Sequence, residues 1–505
     1  MPVTPRLASA TALALVICAP AARADLSADE VWADWKGYLA GMGYEVSGSE
    51  AQSGAVLTVS DAALTMRFPE EEGQFGMDFG TLTFTEGGDG TVTVTWPEKM
   101  PMTISATAET GESWEAAIDL TQAGMQITAS GAPDDIVYDY GADSIAMMLT
   151  DLTIDGEQVA ESDASGQMGI EGLEGRTAVK VGEMRDIDQS GTAERLTYTL
   201  KMTDPDGSTA DISGSAETID FSGTLSVPLE PIDSSDPSAM FAAGATFDST
   251  MRFGSNATTV NGTGQDGVVR MNTTSEGGDL KVTMSEAGLS YDIAQNGLSV
   301  ALEADAAPLP IAFDVGQIAL NLMMPLTESD AAQDFALGAR LAGLTVSDAI
   351  WSIFDPQGQL PRDPATAAFD LTGKARIDAD FLDPSFAPDG SAAMEAPGQV
   401  ESLSINELRL DAVGAELTGT GDFAFDNSQP ATGPVPDGSV QLTLSGGNAL
   451  LDKLVAIGIL PQEQAMGARM MLGLFGVPSD QPDTLTSKID FLPDGQILAN
   501  GQRIR

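Results

Sequence analysis

The stretch "FGMDFGTLTFTEGGDGTVTVTW", Phe75–Trp96, decides the fold class. Apolar and polar residues alternate with period two on both sides of Gly-Gly-Asp-Gly. That is the pattern of two half-buried strands joined by a hairpin turn. Outward from it the same style recurs. "AVLTVS" and "ALTMRF" precede it; "MTISATA", "WEAAIDL", "MQITAS" and "DIVYDY" follow. From about Arg176 come "RLTYTLKMT" and "FSGTLSVPLEP", then "FDSTMRF", "DLKVTMS" and "LSVALEAD". Thr, Ser and Asp on alternate positions give each strand a solvated face. The expected fold is mainly β: long curved antiparallel sheets, groove-like or sandwich-like, with a short N-terminal helix and a C-terminal helical hairpin.

The helices carry their own signals. In "LSADEVWADWKGYLAGMG", Ser27 and Glu30 have capping-box spacing. Val31, Trp35, Tyr38, Leu39 and Met42 then share one face, which predicts packing on a sheet. Trp32 and Trp35 offer an aromatic contact for a ligand, but no polar group accompanies them. Near the end, "NALLDKLVAIGILPQEQAMGARMMLGLF" (Asn448–Phe475) reads as two apolar helices broken at Gly458 and Pro461. Asn448 is the expected cap. Leu450, Leu451, Leu454 and Val455 stripe the first helix; Met466, Met470 and Leu474 stripe the second. Such one-sided stripes predict a lid over the end of a sheet, sealing a core or gating a groove.

The first residues, "MPVTPRLASATALALVICAPAARADL", combine Arg6, an apolar run from Leu7 to Ala19 and an A-x-A site at Ala22–Ala24. This is a secretory signal over residues 1–24, so the expected address is the periplasm. The only cysteine, Cys18, lies within it. The rest divides into expected units at 25–230, 240–382 and 400–505. The linkers are "PLEPIDSSDPSAMF" (Pro228–Phe241) and "DPSFAPDGSAAMEAPGQVE" (Asp383–Glu401). A weak internal repeat links "LTQAGMQITASG" with "MSEAGLSYDIAQNG", and "VYDYGADSIAMMLTDL" with "AFDVGQIALNLMMPL".

Charge and composition exclude whole classes. With 23 Lys+Arg against 75 Asp+Glu, the net charge is −52, which repels nucleic acid and anionic membranes. No apolar run is long enough to span a bilayer as a helix. The chain has no histidine. His-based triads, Cys–His pairs and most zinc or iron sites are therefore excluded. Neither a phosphate-cradling loop nor a nucleophile elbow occurs. No catalytic or cofactor residue is assigned, and the balance is against an enzyme. Carboxylate-based hydrolysis survives as an alternative, although acid spacing selects no pair.

Two weaker signals remain. In "DIDQSGTAERLT", Asp186, Asp188, Ser190 and Glu194 fit part of an EF-hand-like calcium loop. Thr197 stands where a bidentate Glu is needed, and an acidic hairpin turn explains the stretch as well. The second signal is methionine. Met147–Met148 and Met323–Met324 are neighbours in strand-like runs, which predicts strands apolar on both sides under a covering layer. Met470–Met471 is the helical counterpart. Met fills cores and also adaptable apolar surfaces.

The segments "SDAIWSIFDPQGQLPRDPATAAFDLTGKARID" and "GNALLDKLVAIGILPQEQAMGARMMLGLF" with "LTSKIDFLPDGQILANGQRI" resemble domain-of-unknown-function family 2125, secreted proteins of alphaproteobacteria. The resemblance extends over most of the mature chain and is most specific at Phe354–Thr366. It implies no activity and no site residue. The order of strands, paired helices and final hairpin also resembles the ends of large periplasmic β-groove proteins that handle lipids. The leading expectation is a non-catalytic binding or envelope-maintenance protein with an apolar face for a lipid or an envelope partner. The competing expectation is a structural or assembly protein with a closed core.

Overall fold

The computed structural model describes residues 26–68, 73–108, 111–229, 237–307, 309–382, 398–428 and 433–504. The expected signal segment, residues 1–24, lies outside them, as do half of the first expected linker and most of the second.

Helix α1 (Ala28–Gly41) comes first. Strands β1 (Glu45–Ser53), β2 (Val56–Phe68), β3 (Gly73–Glu86), β4 (Val92–Thr95), β5 (Lys99–Thr107), β6 (Ser113–Ala123) and β7 (Gln126–Ala132) follow. Next are β8 (Asp135–Ile154), β9 (Glu157–Gln158), β10 (Ala164–Val181), β11 (Met184–Thr203) and β12 (Thr209–Pro228). After α2 (Pro237–Ala242) come β13 (Thr246–Phe253), β14 (Asn256–Gly264), β15 (Gly267–Ser275), β16 (Gly277–Ser285), β17 (Gly288–Ala304), β18 (Ile311–Met324) and β19 (Gln333–Val346). Then α3 (Asp348–Phe354) leads to β20 (Ala365–Ile377), β21 (Gly398–Ala412), β22 (Ala415–Asp426) and β23 (Val435–Ser445). The chain closes with α4 (Gly447–Ala456), α5 (Gln462–Phe475), β24 (Val477–Pro478), β25 (Thr484–Phe491), β26 (Ile497–Ala499) and β27 (Gln502–Arg503).

These 27 described strands form one antiparallel sheet. From β17 the sheet is a plain meander through β18, β19, β20, β21, β22 and β23 to β25. The ladder runs through both linkers: β12 pairs β13, and β20 pairs β21. Strongly twisted sheets wider than about ten strands rarely stay open without curling, splitting or flattening.

A split unit occurs twice. Between β3 and β8 two short pairs, β4–β7 and β5–β6, stand end to end. Between β12 and β17 the pairs β13–β16 and β14–β15 do the same. The sequence repeat matched the end of β6 and β7 with β16–β17, and β8 with β18. The duplicated topology runs one strand out of step, matching β3–β8 with β12–β17.

A crease crosses the sheet. In β2 the apolar alternation is Leu57, Val59, then Ala62, Leu64; in β3 it is Phe75, Met77, Phe79, then Leu82, Phe84. Each slip of one residue is taken up by a left-handed position, Asp61 (φ 51°) or Gly80 (φ 63°). Apolar residues on both sides of the slip, Val59 and Ala62, Phe79 and Leu82, pack into one core. A bulge-like extra residue thus keeps the same face apolar. The slip recurs at Gly172 in β10, Thr218 in β12, Gly297 in β17 and Gly343 in β19, all left-handed. The ladders skip a step at these places, between Leu173↔Ala142 and Glu171↔Ser144 for example. In the split units the crease falls between the stacked short strands.

The fully enclosed core lies at the N-terminal end. Val31, Trp32, Leu57, Val59, Leu82, Phe84, Val92, Val94 and Ile136 are buried beneath α1. The Ser27–Glu30 capping box forms as expected. Trp32 is 4% exposed, its Nε1–H donating to Glu50 at 2.7 Å. Trp35 packs on Phe84, Trp96 and Tyr138. Both tryptophans are core residues. Met42, expected on the packed face, is the C-cap and is 52% exposed.

Candidate functional site

The apolar face continues well beyond α1. Starting at Ile187 in β11, cross-strand partners run Ile187, Leu225, Phe247, Met284, Leu289, Met324, an apolar row over six strand positions. A parallel row nearer the crease is Phe221, Met251, Leu280, Ile293, Leu320. Across the crease a third runs Leu200, Ile212, Val260, Met271, Leu302, Ile311. Paired residues in a ladder project to the same side, so these rows make one apolar lane. The opposite face reads Lys201, Asp211, Asn261, Arg270, Glu303 along an equivalent row.

The lane is covered under α1 and open beyond it. Phe247, Met251, Ile293, Leu320, Leu200 and Ile311 are each 37–43% exposed, against 0–4% for Leu57, Phe84 and Trp32. A monomer rarely leaves a contiguous apolar surface of this extent in water without using it.

Aromatic rings lie across glycines on this face. A Cβ on Gly175 would come within 2.4 Å of the Tyr140 ring, and one on Gly191 within 2.4 Å of the Phe221 ring. The glycines are seats for cross-strand rings, a packing device of curved sheets. This corrects the reading of "DIDQSGTAERLT". Asp186 to Thr197 is neither loop nor hairpin turn but continuous strand inside β11. Asp186, Asp188 and Ser190 alternate along one side of the strand, opposite Ser226, Thr224 and Ser222. At ~3.3 Å rise per residue, Asp186 and Glu194 stand ~26 Å apart, so the four residues do not converge on one ion. Asp186 instead accepts from Ser226 Oγ at 2.6 Å. Among the described residues no three acidic side chains are grouped to hold a metal.

The methionines separate. Met147 pairs with Met168, and Met324 with Leu289, both in the lane. Met148 (48% exposed) sits between Asp119 and Gln167, and Met323 (38%) opposite Ser290, on the polar face. The expected covering layer on both sides is absent there, because one side is solvated. Met470 and Met471 are 71% and 49% exposed on α5.

The hairpin helices also differ from expectation. The α4 N-cap is Gly446; Asn448 lies inside the helix. The cap comes from Asp483, which accepts from the backbone N–H groups of Asn448 (3.2 Å) and Ala449 (2.9 Å) and from Asn448 Nδ2 (2.9 Å). Burial pushes the Asp483 carboxyl up, but these donors outweigh it and hold the group below the ordinary carboxylate value of 3.8. A depressed folded value stabilises above the ordinary value and is lost as pH falls through the folded one. Replacing Asp483 with Ala should cost about 1 kcal/mol. Amide exchange should rise at Asn448–Leu450, and below about pH 3.8 the variant and parent should converge. On α5 the inward side is Ala465, Ala468, Leu472 and Phe475, while the expected packing stripe Met466, Met470, Leu474 faces solvent.

Sequence reasoning missed a cluster of three largely buried groups. Asp34 of α1 pairs with Arg185 of β11 at 2.9 Å, with side chains 8% and 11% exposed. Tyr138 Oη donates to Asp34 at 2.9 Å. Burial and the Asp34 charge push the Tyr138 hydroxyl far above its usual range. Nothing in the spacing of Asp34, Tyr138 and Arg185 signals their meeting. A concavity of about 1040 Å³ lies elsewhere, at the crease beside Asp139, Glu174, Arg176, Asp220 and Arg252. Its charged lining includes Asp139, already held by Arg176 at 2.7 Å, and it borders the lane at Phe221.

Within Phe354–Thr366 the structure shows a folded turn. Asp355 is fully buried and accepts from the N–H groups of Gln359 (2.9 Å) and Leu360 (2.8 Å), while Arg362 stacks over Trp351. No curated protein and no solved structure matches the chain. Residues 245–500 match the model of domain-of-unknown-function family 2125, described as an uncharacterized protein conserved in bacteria. The match opens at the start of β13 and covers about half of the chain. The Phe354–Thr366 turn, the most specific part of that resemblance, falls inside the match, and the chain belongs to this family.

Proposed function

We propose that this is a non-catalytic periplasmic binding protein that holds the acyl chain of a lipid against the open apolar lane. The observation that carries the reading is the lane itself: three aligned apolar rows, left 37–43% exposed at Phe247, Met251, Ile293, Leu320, Leu200 and Ile311, backed by a polar face. An acyl chain gains ~0.8 kcal/mol per buried methylene. Roughly a dozen methylenes covered on one side give ~5 kcal/mol, comparable to the lower estimates for the cost of association. The Met side chains adapt to a flexible ligand. The export signal and the absence of histidine support a binding role outside the cytoplasm.

Native mass spectrometry of the purified protein should show co-purified lipid. Repeated spectra of the bare chain, together with no binding of an apolar-probe dye by the folded protein, would favour the structural or assembly role instead.

A further inference from the structure

We propose that the solvent face of α5 is a docking surface for a zwitterionic phospholipid bilayer. A helix needs one apolar face to pack; α5 has two. Ala465, Ala468, Leu472 and Phe475 face inward, while Met466 (64% exposed), Met470 (71%) and Leu474 (56%) form a stripe in water. Met471 widens it at 49%, and Ile459 in the turn before α5 is 50% exposed. These are among the most exposed large apolar side chains of the described residues.

Charge selects the occupant. The chain carries −52, yet Asn448–Phe475 holds two acids, Asp452 and Glu463, and two bases, Lys453 and Arg469. The hairpin is therefore neutral, and Arg469 is tied to Asp452 across the two helices. A second copy of so acidic a chain would be repelled. A basic protein partner would be drawn to the acidic remainder, not here. A neutral lipid surface meets neither objection. An apolar helix face lying in the headgroup–acyl boundary buries such side chains, and methionine suits that soft boundary.

Position gives the docking a use. The α4–α5 hairpin is inserted between β23 and β25, and the apolar row Leu417, Leu444, Leu485 ends beside it. A Cβ on Gly447 at the start of α4 would meet Leu444, and one on Gly476 just after α5 would meet Leu485. Docking would set this end of the lane against the membrane. That use rests on the proposed acyl binding; the docking itself does not, and the two are measured separately.

The test is flotation of the mature protein with phosphatidylcholine vesicles at ~0.15 M salt, where charge effects reach only about 8 Å. The protein should float, and less so when phosphatidylglycerol is added. The triple variant Met466→Glu, Met470→Glu, Leu474→Glu should lose more than about tenfold in bound fraction, since three apolar side chains no longer enter the boundary. Its thermal midpoint should match the parent, because all three side chains face solvent. Met148→Glu, exposed on the sheet's polar face, should float normally, and Leu320→Glu in the lane should float normally while losing acyl binding. The proposal is overturned if the parent does not float with phosphatidylcholine, if the triple variant floats as well as the parent, or if the triple change instead abolishes a dimer seen by size exclusion.

Discussion

Replacing Arg185 with Met is expected to destabilise the N-terminal end of the sheet by on the order of 3–5 kcal/mol. The change strands the Asp34 carboxylate, only 8% exposed, without its cation. Tyr138 Oη remains as a donor at 2.9 Å, but one neutral donor does not balance a buried charge. The loss should be larger than for an exposed pair such as Arg195–Glu217, whose removal should cost under about 1 kcal/mol. The double replacement Asp34→Leu with Arg185→Met should recover much of the stability, since an apolar pair of similar volume carries no desolvation cost. Arg185 also packs 4.8 Å from the Tyr38 ring centroid, so Met fills part of that volume. Urea unfolding read by tryptophan fluorescence suits the measurement, because Trp32, Trp35 and Trp96 lie in or against this core. A single Arg185→Met variant within about 1 kcal/mol of the parent would show that α1 is held by apolar packing alone.

That prediction depends on residues the sequence could not connect. Asp34 and Arg185 lie 151 positions apart, and the contact exists only because α1 folds back over β11. Local features were legible. The alternation in Phe75–Trp96 forms β3 and β4, and Ser27 and Glu30 form their box. What was misread follows from one physical feature. Glycine inside these strands takes two roles that resemble a turn in one dimension. At Gly191 it makes room for the Phe221 ring; at Gly80 it supplies the left-handed step that moves the apolar alternation by one residue. Flanked by Asp186, Asp188 and Ser190, Gly191 resembles a turn glycine in one dimension, which is why the stretch matches part of a calcium loop. Overlooking the shift at Gly80 hid the crease, although Phe79 and Leu82 on either side of it show the break in period. For α5, a stripe of Met466, Met470 and Leu474 signals an apolar face but not its direction. The less conspicuous Ala465 and Ala468 pack inward, because small residues permit closer approach of the helix.

The lane permits a comparison within a single strand. Leu320 and Met323 both belong to β18 and are both 38% exposed. Leu320 pairs with Ile293 and Ala339 in the lane; Met323 pairs with Ser290 and Ala336 on the polar side. Leu320→Glu should lower the affinity for a fluorescent fatty acid by roughly tenfold or more, since a carboxylate against an acyl chain loses hydration that nothing replaces. Met323→Glu should change it less than about twofold, because its new charge points into water beside Ser290. Neither substitution should shift stability by more than about 1 kcal/mol, since both side chains already reach solvent. Equal exposure, equal strand and equal chemistry of substitution leave the face as the remaining difference. If the two variants lose binding equally, the ligand does not read the lane. If neither loses binding, the fatty acid lies elsewhere, and the exposed rows would then have to serve contact with another protein. If Leu320→Glu alone fails, an acyl chain occupies the side of the sheet that α1 leaves uncovered, and the crease acquires a role: it keeps each long strand's apolar residues on that side across the full width the ligand can use.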